Sequence, residues 1–321
     1  MKAVVLEKTC KPEDLNVSEV EMPEVKPDWV LVKVLGFGIN RAEVILRDYE
    51  ADEDYISLPV IPGIECVGEI VDASNTQFVK GDKIAALMGG MGRSFDGSYA
   101  EYALLPSKNV FKISDSVFEK LSLEEIIAVP ETYFTSYGSI KSLNLKNDDS
   151  ILIRGATSAL GLTTMQLAKA LGCRIIATSR DESRFDKLYK NGADECMVDD
   201  GNLSGKLKCD KILELIGPKT LEDSMKCLNN GGICCVTGVL GGVEYMDEFD
   251  PIKIIPNNTF LTSFFSNYPT QEIMDEIFEF VIKHNIKPEI AKVFTSLDEI
   301  GEAHKLIESN KAQGKIIFKL E

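Results

Sequence analysis

Hydrophobic positions divide the chain into two textures. Up to about residue 115, short apolar runs at Ala3–Leu6, Val30–Val34, Val60–Val71, Lys83–Met88 and Tyr99–Leu105 are cut by glycine and proline, as in Pro62-Gly63 and Lys80-Gly81-Asp82. That is the pattern of a β-rich region. One short helix is predicted to start near Asn40, with Val44, Ile45 and Leu46 inside it. From about residue 120 the period changes. A helical stretch, Glu131–Ser142, precedes a short buried strand, Ser150–Arg154, which a glycine turn joins to a helix at Ala159–Leu171. Strand Arg174–Thr178, helix Glu182–Tyr189, a strand near Cys196–Val198, strand Lys211–Leu215, helix Thr220–Leu228 and strand Ile233–Thr237 continue the alternation. Strands alternating with helices of this length predict parallel βαβ units, hence an α/β fold with a doubly wound parallel sheet. Phe260–Phe265 reads as one more strand. From Gln271 the tail reads helix, strand (Ile290–Phe294), helix (Leu297–Glu308) and strand (Lys315–Lys319). It lacks the strict βαβ rhythm and fits a return to the first domain.

Length and charge narrow the class. The chain has 321 residues, enough for about two domains with cores of their own. Its 35 basic and 51 acidic side chains leave a net charge of −16, which repels nucleic acid and anionic membranes as main partners. No run of about 20 apolar residues offers a membrane span, and the first residues, Met1-Lys2-Ala3-Val4-Val5-Leu6-Glu7, hold too short an apolar run for a signal peptide. Eight cysteines stand without a CxxC pair, and most lie in strand-like apolar contexts, so they read as free, core-packing thiols in a reducing compartment. The expected setting is cytoplasmic.

The most informative local feature is Ile151-Leu152-Ile153-Arg154-Gly155-Ala156-Thr157-Ser158-Ala159-Leu160-Gly161-Leu162, a strand running through small residues into a helix. A nucleotide pyrophosphate needs free backbone N–H groups and the positive end of a helix dipole. Small residues let the backbone approach the phosphates, and Gly161 lets the helix pack close to the strand. The expected contacts are Gly155, Thr157, Ser158, Ala159, Leu160 and Gly161, with the Ser158 hydroxyl as a possible phosphate donor. At the end of the second strand an NAD reader carries an acid for the ribose 2′-hydroxyl. Here Thr178-Ser179-Arg180 stands instead. Ser179, Arg180 and, one helical turn on, Arg184 suit a 2′-phosphate and predict NADP(H). Asp181 is the competing acid, better placed to cap the following helix.

Together these segments are similar to the medium-chain dehydrogenase/reductase family, in its zinc-free quinone oxidoreductase branch. The likeness is carried by Gly38-Ile39-Asn40-Arg41-Ala42-Glu43, Pro62-Gly63-Ile64-Glu65-Cys66-Val67-Gly68, Gly97-Ser98-Tyr99-Ala100-Glu101-Tyr102, Pro130-Glu131-Thr132, Thr135-Ser136-Tyr137, the glycine turn, Leu228-Asn229-Asn230-Gly231-Gly232, Glu302-Ala303-His304 and Gln313-Gly314-Lys315-Ile316-Ile317. Single motifs here are weak, but their order and spacing are specific. The resemblance implies a GroES-like β-rich catalytic domain, residues 1–121 and 266–321, interrupted by a Rossmann cofactor domain, residues 122–265. It also implies that Gly238, Val239, Leu240, Phe264, Phe265 and Ser266 face the nicotinamide end of the cofactor, with Thr135 nearby.

Zinc members of the family use a Cys, a His and a second thiolate or acid. Asn40 stands where the resemblance puts that Cys and Ile64 where it puts the His, while Glu65 remains. The stretch from 88 to 110 has no Cys for a structural zinc, and the two histidines, His284 and His304, fall on tail helices and read as solvated or capping. The expectation is metal-free chemistry. Without a Lewis acid, good hydride acceptors are favoured, and the resemblance implies a quinone or an α,β-unsaturated carbonyl, a small hydrophobic electrophile. The polar candidates are Asn40, as donor to the substrate oxygen or as cap of its helix, and Tyr49, lining the mouth; Ile45 stands where relatives carry a tyrosine. Two other readings stay open: a non-catalytic NADPH-binding redox sensor, and a reductase of simple aldehydes. A homodimer is expected through Phe260, Leu261, Phe264 and Phe265 on the last strand of the cofactor sheet.

Overall fold

The computed structural model describes residues 1–320. In chain order the elements are β1 (Lys2–Val4), β2 (Val17–Glu19), β3 (Trp29–Ile39), α1 (Arg41–Asp48), β4 (Glu65–Asp72), β5 (Lys83–Leu87), β6 (Tyr102–Pro106), β7 (Val110–Lys112), α2 (Asp115–Phe118), α3 (Leu123–Ile127) and α4 (Pro130–Ser142). Then come β8 (Ser150–Arg154), α5 (Ala159–Ala170), β9 (Arg174–Ser179), α6 (Phe185–Lys190), β10 (Glu195–Val198), β11 (Cys209–Glu214), α7 (Pro218–Lys226), β12 (Leu228–Val236), α8 (Pro251–Ile254) and β13 (Phe260–Ser263). The tail adds α9 (Gln271–Lys283), β14 (Ile290–Phe294), α10 (Ile300–Glu308) and β15 (Lys315–Lys319). Among the described residues no helix is long and apolar enough to cross a membrane.

The chain forms two compact units, Met1–Phe134 with the residues from Asn267 onward, and Thr135–Ser266. The first boundary lies thirteen residues later than the sequence reading placed it. The reason is that the segment after 121 is tied to the β-rich unit by charge and backbone: Lys319 bonds Glu124 at 2.7 Å, and the Glu131 N–H donates to Glu65 at 2.8 Å.

The first unit is built on a sheet of order β14-β15-β3-β4-β5-β7, with β6 also pairing with β3. The returning tail supplies β14 and β15, and β15 runs antiparallel to β3. Its core gathers Val30, Val32, Val34, Phe37, Ile70, Ile84, Phe294, Phe318 and their neighbours.

The second unit is a six-stranded, all-parallel sheet of order β10-β9-β8-β11-β12-β13. Its central strand β8, Ser150–Arg154, is buried through Ile151, Leu152 and Ile153 because both faces of the sheet are covered. Ile151, Ile153, Ala177 and Leu213 join the core on one side with Leu162 and Met165 of α5. Leu152, Ile176 and Ile212 join that on the other with Leu221 and Met225 of α7. Strand order reverses between β8 and β11, the switch point where doubly wound sheets bind ligands at the carboxyl ends of their strands.

Candidate functional site

In the second unit, the glycine turn sits at that switch point. Gly155 follows β8 with φ +87°, a left-handed conformation that favours glycine. A Cβ on Gly161 would lie 2.7 Å from the Ala156 backbone, so only glycine lets α5 approach the turn this closely. Ser158 is the N-cap of α5: its hydroxyl accepts from the Gly161 N–H at 3.1 Å and donates to the Gly155 carbonyl at 2.9 Å. In this structure that single hydroxyl proton bonds inside the turn. The N–H groups of Ala159 and Leu160, in the first turn of a twelve-residue helix, have no intrahelical acceptor. They point the helix's positive end at the carboxyl edge of the sheet, and small residues surround them, so the cradle fits a dinucleotide pyrophosphate.

The turn is anchored from beneath by a buried charge network absent from the sequence reading. Arg154, at the end of β8, is fully buried. It binds Asp199 bidentately, with both contacts at 2.8 Å, and reaches Asp223 at 2.8 Å and the Ser224 hydroxyl at 3.0 Å. Asp199 in turn accepts from the Thr178 hydroxyl at 3.3 Å, and that hydroxyl accepts from the Gly155 N–H at 3.3 Å. Glu214 completes the cluster with bonds from the Gly217 N–H and the Thr220 hydroxyl, and burial raises its pKa.

At the end of β9, Ser179 is buried, with its hydroxyl bonded to the Asp181 backbone, and Arg180 is exposed. Asp181 caps the turn that follows by accepting from the Ser183 N–H at 2.9 Å. The helix expected at Glu182–Tyr189 is a 3-10 turn, Glu182–Arg184, followed by the six residues of α6, so Arg184 stands at a turn rather than one turn into a helix. Gly238–Leu240 follow β12 and run beside β11's continuation, with the Leu240 N–H on the Leu215 carbonyl at 2.9 Å. Phe264 packs on the sheet core, Phe265 is 79% exposed, and Ser266 is half-buried. Thr135 is 4% exposed in the interior of α4.

In the first unit, Asn40 and Tyr49 flank α1. Tyr49 is exposed at its C-terminus. Asn40 precedes α1, and its N–H donates to Glu43 at 2.7 Å; its side chain turns toward a second buried charge cluster. The register that pairs Ile316 with Ile39 brings Lys315 opposite Asn40, and the register that pairs Gly36 with Val67 brings Glu65 beside Gly38. Lys315 Nζ donates to Asn40 Oδ1 at 2.5 Å and lies 2.6 Å from Glu65 Oε1. Asn40 Nδ2 donates to Glu65 Oε1 at 2.9 Å and stands 3.5 Å from Glu43 Oε1. Asn40 is the N-cap of α1, in a capping box with Glu43, as one of the two sequence expectations had it, and its side-chain amide also joins Lys315 and Glu65. Its contact with Glu43, at 3.5 Å, is the weaker of its two carboxylate contacts. Glu43 is buried and also accepts from the Ile64 N–H at 3.0 Å; burial pushes its pKa up to about 7. Ile64 is buried and offers no metal donor.

This arrangement does not fit a zinc ion. Lys315 places a buried ammonium on the two polar groups, Asn40 and Glu65, that remain at the position, and a cation there opposes a dication. Among the described residues no three His, Cys, Asp or Glu side chains converge in a way that could hold a metal.

The remaining candidates are structural. Cys66 is buried, and burial raises its thiol pKa. His284 is exposed and stacks on Phe280, but His304 is not a surface group: it is buried, 3.1 Å from the Tyr99 hydroxyl, and burial pushes its pKa down to about 3. Lys315, Glu43 and Arg154 were the functional-looking residues missed. Arg154 and Lys315 border buried apolar runs, a signal for burial but not for their partners, and Glu43 carried no such signal.

Residues 26–115 match a family profile described as the alcohol dehydrogenase GroES-like domain, and residues 159–283 one described as zinc-binding dehydrogenase. The quinone oxidoreductase of Homo sapiens is 29% identical over all of this chain and 98% of its own length. Among solved structures, the quinone oxidoreductase from Coxiella burnetii aligns over 100% of this chain and 99% of its own, at 22% identity and a TM-score of 0.86. The yhdH oxidoreductase from Salmonella enterica, in complex with NADP, aligns over 100% of both chains at 21% identity and a TM-score of 0.84. With a GroES-like sheet, a 3-2-1-4-5-6 parallel sheet and this turn, the chain belongs to the medium-chain dehydrogenase/reductase family, whose members bind a nicotinamide cofactor. Within it, the chain is an oxidoreductase of the quinone oxidoreductase-like branch.

Proposed function

We propose that the protein is an NADPH-dependent reductase that delivers hydride to a quinone or an α,β-unsaturated carbonyl without a metal. The observation that carries this reading is the Lys315 ammonium seated on Asn40 and Glu65, which supplies fixed positive charge where the family's zinc chemistry needs a dication. When bound, the cofactor supplies the hydride. The chain's part is to hold it and to stabilise the charge that develops on the substrate oxygen. The open N–H groups at the start of α5 suit the pyrophosphate. Arg180 suits a 2′-phosphate, because it is exposed at the end of β9 while both nearby acids are committed, Asp181 to a cap and Asp199 to Arg154. Asn40 Nδ2 suits the oxyanion, since one of its two hydrogens has only a weak partner.

The named relatives that are quinone oxidoreductases support the substrate class. We further propose a small hydrophobic electrophile as substrate, a homodimer paired along β13, and a reducing cytoplasmic setting in which the eight cysteines stay free thiols.

The test is a substrate panel followed at the nicotinamide absorbance with both cofactors. Turnover of NADPH with quinones or enones, and little with saturated aldehydes, is the expected result. Turnover of saturated aldehydes alone makes it an aldehyde reductase. Tight NADPH binding with no turnover of any acceptor makes it a sensor, and either result overturns the proposal.

A further inference from the structure

An asparagine amide has two ends of nearly equal size, and a flip exchanges a donor for an acceptor. At Asn40 that choice decides whether the side chain attracts or repels a substrate oxygen. The structure fixes it through one residue. An ammonium only donates, so the amide atom facing Lys315 must be the oxygen, and Nδ2 is turned toward Glu65 and Glu43.

Lys315 is held there by construction. Its side chain is 4% exposed. Its backbone N–H is tied to the Glu289 carbonyl at 2.7 Å. Space for its stem comes from Gly38 on β3, where a Cβ would lie 2.3 Å from Lys315 Cε and 2.4 Å from Glu65 Oε1. Glu65 is kept in place from its other oxygen by the Glu131 N–H, and the Glu131 carboxylate stands 3.8 Å from Nζ. Without the ammonium, the buried Glu65 carboxylate would oppose any negative charge developing at Asn40.

We propose that Lys315 is the positioning residue of the reaction: it holds Asn40 with its donor end available, offsets Glu65, and polarises the amide toward an oxyanion. This rests on the reductase reading above. It assigns Lys315 no contact with substrate; Lys315 acts through Asn40.

The experiment compares Lys315→Arg, Lys315→Met and the double variant Glu65→Gln/Lys315→Met. Removing one partner of a buried pair leaves an unpaired charge and threatens folding, so the neutral double variant is the arbiter. With a quinone or enone, we expect its kcat to fall roughly 10- to 100-fold, as for loss of part of an oxyanion donor, while its NADPH Kd stays within about twofold, less than 0.5 kcal/mol. Lys315→Arg, which keeps the cation, should recover most of the loss. A folded double variant with wild-type kcat, or a Lys315→Arg protein as slow as Lys315→Met, overturns the proposal.

A second readout needs no turnover and so separates failure of this proposal from failure of the reductase reading. The Asn40 side-chain amide resonances, assigned by their loss in Asn40→Ala, should form one set in the wild type and split or shift in the double variant as the amide samples both orientations. One unchanged set in both proteins contradicts a positioning role whatever the substrate is.

Discussion

Single side chains set the molecule's response to pH in two opposing ways. Glu43 is fully buried and its pKa rises from 4.5 to about 7, mainly by desolvation. The folded state holds a proton that the unfolded chain releases, so this contribution is complete below pH 4.5 and is lost as pH rises to about 7, a change on the order of 3 kcal/mol. His304 moves the other way. Burial lowers it from 6.5 to about 3, so its contribution is complete above pH 6.5 and is lost as pH falls toward 3. Stability should therefore peak at mildly acidic pH. Between about pH 4.5 and 6.5 the two slopes oppose each other, so thermal melts of the wild type should be nearly flat there, whereas Glu43→Gln should gain stability as pH rises across that window; a Glu43→Gln profile as flat as wild type would contradict the Glu43 assignment. Arg180 is the residue proposed to set the cofactor choice. A bond between ionised partners is worth about 1.5–3 kcal/mol, so Arg180→Ala should weaken NADPH roughly 10- to 150-fold and leave NADH nearly unchanged. Equal weakening of both, read by nucleotide fluorescence titration, would mean a structural role only.

At the scale of elements, the turn between β8 and α5 depends on what lies beneath it. Arg154 neutralises Asp199 and Asp223 and lies near Glu214. Arg154→Met should cost about 3–5 kcal/mol by leaving buried carboxylates unpaired, and should weaken dinucleotide binding as Thr178 and Gly155 lose their support. Chemical denaturation showing a loss under about 1 kcal/mol would place the network at the energetic level of a surface pair. The β-strands and helices were legible because their periods are plain: Ile151, Leu152 and Ile153 alternate between two cores, and the tail's unbroken Ile316-Ile317-Phe318 run announces a sheet strand. The partner of that strand was not legible. Only the antiparallel register with β3 brings Lys315 opposite Asn40 across 275 positions of sequence, so the cluster that defines the site has no local signature. The same holds for Arg154 and Asp199, brought together by sheet order rather than by spacing. Where the turn chemistry is local, as in the Asp181 cap or Gly155, the sequence sufficed. Ser158 also caps α5, a role that its residue type allows and its position confirms.

At the scale of the whole molecule, two features bear on assembly and chemistry. β13 ends the cofactor sheet, with Phe260 59% exposed and Phe265 more so, and an apolar free edge of this kind pairs most readily with its own two-fold copy. Light scattering at micromolar concentration should give a dimer, and Phe260→Lys should give a monomer; a monomeric wild type contradicts the pairing. The proposed reductase has a buried lysine and asparagine where zinc members of the family hold a metal. The most direct test measures metal content and NADPH turnover on one chelator-treated sample with a quinone or enone as acceptor. Full turnover with zinc far below one ion per chain is the expected result. Turnover that vanishes with the chelator and returns with stoichiometric zinc would contradict it.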